Sequence, residues 1–149
     1  MSVDPTTRGD ASALPVRRHL AFGWTSLLAF ALLGIALEAM HGFKVGWYLD
    51  VGHETRRLLL TLAHAHGVLL SLLNLAFAFA LREAASPSRA LRLASPCLMA
   101  ATVLMPAGFL LGGLVPYGGD PGFGILLLPP GAGFLLAALA ATAWDTSRR

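Results

Sequence analysis

Apolar residues fill four long blocks of this chain, at about 19–40, 57–81, 91–115 and 124–144, separated by three shorter polar or turn-forming stretches. At 1.5 Å of rise per residue, each block is long enough as a helix to cross about 30 Å of hydrocarbon. The connections are unequal: 41–56 is polar and aromatic, 82–90 is short and basic, and 116–123 is a tight Gly/Pro turn. Short connections make successive helices antiparallel. The pattern therefore predicts an all-α integral membrane protein, an up-down-up-down four-helix bundle over residues 19–144.

The flanking segments are small. Residues 1–18 are polar and rich in Ser, Thr, Asp and Pro, a composition that predicts a disordered tail. Residues 145–149 form a shorter tail. Arg17 and Arg18 before an apolar run resemble the start of a signal peptide. The run that follows exceeds a signal core and has no small-x-small cleavage site, so it reads as an uncleaved first span.

Charge orients the bundle. Arg8, Arg17, Arg18, Arg82, Arg89, Arg92, Arg148 and Arg149 fall on the side of the termini, against Lys44, Arg56 and Arg57 on the other. By the positive-inside rule both termini are expected in the cytoplasm, with the 41–56 connection facing outward from a cell inner membrane. Composition agrees. The chain of 149 residues is 56% hydrophobic and 13% charged, with mean hydropathy +0.67, whereas soluble domains carry about 25% charged residues. The net charge of +3 does not point to nucleic acid, because the basic residues flank apolar spans and form no stripe. The expected partners are the lipid bilayer and a larger membrane complex or a second copy. The single Cys97 excludes an intrachain disulfide, and with no nearby base it reads as an inert thiol.

Small and cyclic residues shape the later spans. Gly108, Gly112, Gly113, Gly131 and Gly133 allow close approach of helix backbones. Pro106 is expected to kink the third span, and Pro129 and Pro130 to give the fourth a broken or late start.

The sharpest candidate chemistry is His64 and His66, about two turns inside the second apolar block, since ionisable groups within a bilayer are costly to keep there. Two residues apart on a helix, they point roughly 200° from each other and cannot ligate one metal together. Arg57, His64 and Ser71 share a strip flanked by Thr61 and Gly67, with Asn74 near its edge, which favours His64 as the inward residue. His66 shares its side with Leu59, Leu62, Leu70, Leu73 and Phe77, read as a lipid or packing face. Glu38 and His41 have the Glu-x-x-His spacing of carboxylate metal sites in bundles, and Met105 lies at a depth near His64. His19 and Trp24 read as interface residues, and Asp120 as a turn former.

Three functions fit this layer. Haem b would accept His64 or His66 with His41 or Met105 as the second ligand, and copper or another metal would accept His64, His66, Glu38 and His41. Glu38, His41 and His64 could instead form a proton-handling or substrate pocket. The third possibility binds no cofactor: the histidines glue helices together, and Glu38 pairs with Arg56 or Arg57.

The stretch His64-Ala-His-Gly-Val-Leu-Leu70 resembles a His-x-His-Leu-x-x-x-Gly pattern in helices of haem–copper oxidase subunit I. It also resembles small bacterial four-span membrane proteins of unknown function. The likeness covers about a dozen residues, with Gly67 in the place of the leucine and Ser71 in the place of the glycine. It implies haem or copper ligation by His64 or His66, without the further histidines needed for oxygen reduction. The leading expectation is thus a haem- or metal-binding accessory protein of a respiratory or redox system that does not itself catalyse bond chemistry. The alternatives are a cofactor-free structural or assembly subunit, and a small transporter or lipid-pocket protein.

Overall fold

The computed structural model describes residues 5–84 and 86–148, except for the side chains of 5–14 and of His53. It is helical, with no named strand among the described residues. Four helical segments are long and apolar enough to cross a membrane: Pro15–Gly42, Glu54–Glu83, Arg89–Leu114 and Phe123–Thr146. They coincide within a few residues with the four apolar blocks. The helices are α1 (Pro5–Gly42), the single-turn α2 (Gly46–Leu49), α3 (Glu54–Glu83), α4 (Arg89–Leu114) and α5 (Leu128–Thr146).

α1 begins within the stretch whose composition predicts a disordered tail. Pro15 lies inside the helix, where its ring removes the N–H that would bond Ala11 O. Residues 1–4 of that tail lie outside the described residues. α1 ends in a Schellman motif: Val45 N–H donates to Met40 O and Lys44 N–H to His41 O, with Lys44 at φ 53°. The fourth span starts late, as its prolines predict. A 3-10 turn over Phe123–Leu127 precedes α5, whose first turn carries the prolines. In the turn before it, Tyr117 and Asp120 exchange both backbone bonds around Gly118 (φ 57°) and Gly119 (φ 90°), a two-residue turn that needs left-handed backbone at both positions.

Residue pairs mark the interfaces between successive long helices. Gly23 meets Leu75 and Gly34 meets His64 between α1 and α3; Gly113 meets Leu59 between α3 and α4; Gly131 meets Met105 between α4 and α5. The 43–53 and 115–127 connections lie together at one end, the distal end, where Thr55 Oγ1 donates to Gly119 O. The 84–88 connection lies at the other, proximal end.

Each spanning helix packs chiefly on its chain neighbours, so the bundle is open rather than closed. The apolar windows of α3 and α4 are 44% buried, against 17% for α1 and 11% for the fourth span, which makes α3 and α4 the inner pair. Among the described residues α1 and α5 share no interface comparable to the other three. A proximal core of Phe77, Leu81, Leu91, Ala94, Leu98 and Ala138 joins α3, α4 and α5, and a smaller distal core holds Leu37, Tyr48 and Leu60.

Candidate functional site

Three polar layers lie along the helices. The most enclosed is proximal. His19 and Asn74 are fully buried, and Thr102 is nearly so. Asn74 Nδ2 donates to Leu70 O (2.9 Å) and to Thr102 Oγ1 (2.7 Å), and Thr102 Oγ1 donates onward to Leu98 O (2.8 Å). Both amide protons are then committed, so Asn74 Oδ1 accepts from His19 Nδ1–H at 2.8 Å. With that proton on Nδ1, Nε2 is left to accept from the Ser95 hydroxyl at 2.7 Å. The Phe77 ring closes the site edge-on, 4.8 Å from the imidazole. One side chain from α1 thus binds α3 and α4 at once, and every polar atom of the group has a partner.

The place of His19 before the first apolar run predicts an interfacial residue. The fold instead buries its side chain more fully than any other described polar group of α1. A signal existed. Asn74 lies in an apolar block where lipid offers no hydrogen bond, so a partner had to come from another helix.

The middle layer is the α1–α3 seam. His64 Nδ1–H donates to Phe30 O at 2.8 Å, and its ring occupies the notch left by Gly34. The contact is reciprocal, because the Phe30 ring occupies the notch at Gly67. Ser71 Oγ, which donates to Gly67 O at 2.7 Å, also lies 2.8 Å from Ser26 Oγ. His64, Gly67 and Ser71 therefore share one buried face, as their spacing predicts. Arg57 and Thr61 leave it and line a cleft at the distal end.

His66 faces the other neighbour. Its Nδ1–H donates to Leu62 O of its own helix at 2.9 Å, and its ring lies against Phe109 of α4, centroids 4.7 Å apart. It is half-buried between helices. Met105 packs against Gly131 on the α5 side of α4. The candidate haem and metal donors are thus dispersed: His64 against α1, His66 against α4, Met105 against α5, and Glu38 and His41 in the distal cleft. No group of three His, Cys, Asp or Glu side chains able to hold a metal occurs among the described residues. Among the described residues these donors lie on different faces and do not converge on one point.

The distal layer is the cleft itself, about 640 Å³, lined by Glu38 and His41 of α1, Tyr48 of α2, and Glu54, Thr55, Arg57, Leu58 and Thr61 of α3. The expected pairing of Glu38 with Arg56 or Arg57 does not form. Among the described residues Glu38, His41, Glu54 and Arg57 make no side-chain hydrogen bond or ion pair. Arg56 is occupied elsewhere. Its guanidinium donates to Trp47 O at 2.7 Å, sits 4.6 Å from the centre of a Trp47 ring, and keeps a buried Nε without a partner. That contact fixes the 43–53 connection, and with it α2, over the start of α3. Tyr48 is only 5% exposed, and its hydroxyl has no hydrogen-bond partner among the described residues.

These features define a class: a helical protein with four helical segments long and apolar enough to cross a membrane and a polar cleft at one end of its helices. Comparison of the chain with protein-family models, curated proteins and solved structures found no match.

Proposed function

We propose that this chain spans a cell inner membrane up-down-up-down with both termini in the cytoplasm, and that its distal cleft, facing outward, binds a small polar or amphipathic ligand. This is the lipid-pocket or small-transporter reading. The positive-inside count supports the orientation. One observation carries the function: two carboxylates, a guanidinium and an imidazole converge on one cleft with no partner among themselves, beside a buried tyrosine whose hydroxyl is also unpaired. Charged groups left unpaired around a concave site are what a ligand would satisfy. Native mass spectrometry of the protein extracted in mild detergent tests this. A bound small molecule should be present and should be lost in the Glu38→Gln/Arg57→Gln double variant. Identical spectra for the two proteins would refute the reading.

A second reading, the haem- or metal-binding accessory protein, has one observation in its favour. His64 and His66 both commit Nδ1–H to a backbone carbonyl, the arrangement that leaves Nε2 free to ligate. It ranks second because no further donor converges on either ring among the described residues. An absorption spectrum of the purified protein, oxidised and dithionite-reduced, with metal analysis, decides it. A Soret band lost in His64→Ala or His66→Ala would promote it, and a colourless, metal-free protein would end it.

A further inference from the structure

The cleft is electrically polarised. One wall is the C-terminal end of α1, which carries Glu38 and His41; the other is the first turn of α3, which carries Glu54 and Arg57. Helix ends carry partial charges of about half an electron, negative at the C-terminus and positive at the N-terminus. The backbone therefore adds to the negative charge of Glu38 on one wall and to the positive charge of Arg57, which Glu54 partly offsets, on the other.

That polarity narrows the ligand. A purely anionic ligand would meet Glu38 and Glu54, and a purely cationic one would meet Arg57. A zwitterion satisfies both walls. The cleft floor adds a further constraint. Leu58 and Thr61 belong to the stripe of α3 that continues through Ala65, Leu69, Leu72, Ala76 and Phe79, all exposed to the surroundings of the bundle. In a bilayer this stripe faces acyl chains, so the cleft is open sideways to lipid. Next to it the 43–53 connection exposes Phe43 (84%) and Trp47 (45%), the residue types that settle at headgroup depth.

Resting on the reading of the cleft as the ligand site, we infer that its ligand carries an ammonium and a phosphate on one short linker. The ammonium lies against Glu38 and the phosphate against Arg57, within reach of the Tyr48 hydroxyl. This chemistry occurs in a phospholipid with an aminoethyl phosphate headgroup, whose acyl chains would lie along the Leu58–Phe79 stripe, and in free phosphoethanolamine.

The test measures binding of three probes to the full-length protein in mild detergent: dihexanoyl phosphatidylethanolamine, dihexanoyl phosphatidylglycerol and free phosphoethanolamine. The ethanolamine lipid should bind about tenfold more tightly than the glycerol lipid, the value of one charge-assisted contact. Glu38→Gln should abolish that preference, and Arg57→Gln should weaken both lipids. Equal binding of free phosphoethanolamine identifies a soluble ligand, and its failure to bind identifies a membrane one; each supports the inference. Equal affinity for the two lipids, or a preference that survives Glu38→Gln, overturns it. If both lipids still depend on Arg57, the cleft remains a ligand site for another headgroup. If no probe depends on Glu38 or Arg57, and the extracted protein carries the same adducts with and without them, the cleft reading falls as well.

Discussion

Gly34→Ala is the sharpest probe of how α1 and α3 recognise each other. A Cβ at Gly34 would stand 2.6 Å from Nδ1 and 2.9 Å from Nε2 of His64, with Cε1 closer still. The ring cannot stay where it is, and leaving breaks its bond to Phe30 O. Forcing one methyl into a packed interface costs about 1–3 kcal/mol. Losing an interhelical hydrogen bond in a membrane protein costs about 0.6 kcal/mol on average. Against this, alanine is the better helix former by up to about 1 kcal/mol. The net expectation is a loss of about 1–3 kcal/mol, read from reversible unfolding in mixed micelles followed by helicity. The same substitution in a His64→Ala background meets an empty notch. There it should be neutral or stabilising by up to about 1 kcal/mol, the helix-propensity gain alone. The double-mutant cycle should therefore give a coupling of about 1.6–3.6 kcal/mol, well above the additivity error of about 0.5 kcal/mol. Gly42→Ala, at a glycine with no atom within 4 Å of its would-be Cβ, is the neutral control. Equal costs of Gly34→Ala with and without His64 would refute the interlocking of ring and notch.

Other outcomes follow from the same geometry. Asn74→Leu removes three side-chain hydrogen bonds and strands the Nδ1–H of a fully buried His19, so it should cost about 2 kcal/mol or more in the same unfolding assay. Ser71→Ala should cost less than half as much, because Ser26 keeps its own helix carbonyls. Gly131→Val should split α4 from α5, since a Cβ there falls 2.7 Å from Met105 Cγ and 3.1 Å from the Met105 backbone nitrogen; Gly133→Val, with open space around it, should leave stability unchanged. In a Cys97→Ser background, a membrane-impermeant maleimide should label Val51→Cys but not Ser86→Cys in intact cells, and the reverse pattern would invert the proposed orientation.

The four spans were legible because span length and hydropathy are local properties, and each block carries its own stop signals. The late start of the fourth span was legible for the same reason, through Pro129 and Pro130. What the sequence concealed was which helix each polar side chain would meet. His64, Gly67 and Ser71 were readable as one strip from angle alone, but the partner face of Gly23, Ser26, Phe30 and Gly34 carries no pattern distinguishable from ordinary apolar sequence. Sequence position puts Met105 at a depth near His64. Depth fixes position along the membrane normal and says nothing of direction around the helix, and that direction sends Met105 to α5.

His19 exposes the same limit more sharply. Its place before the first apolar run fits an interfacial histidine, yet the α1–α3 register puts it beside Asn74, Ser95 and Thr102. These polar groups, scattered through three blocks, become one saturated network only once the helices are set against each other. A histidine buried with both ring nitrogens engaged has no coordination left to offer a ligand, so the conspicuous intramembrane polarity at the proximal end is spent on holding α1, α3 and α4 in register. The distal groups differ in kind. Among the described residues Glu38, Glu54 and Arg57 make no side-chain hydrogen bond or ion pair, and they line the distal cleft. Polar residues that helix packing does not engage are the natural candidates for function, and here they line one cleft.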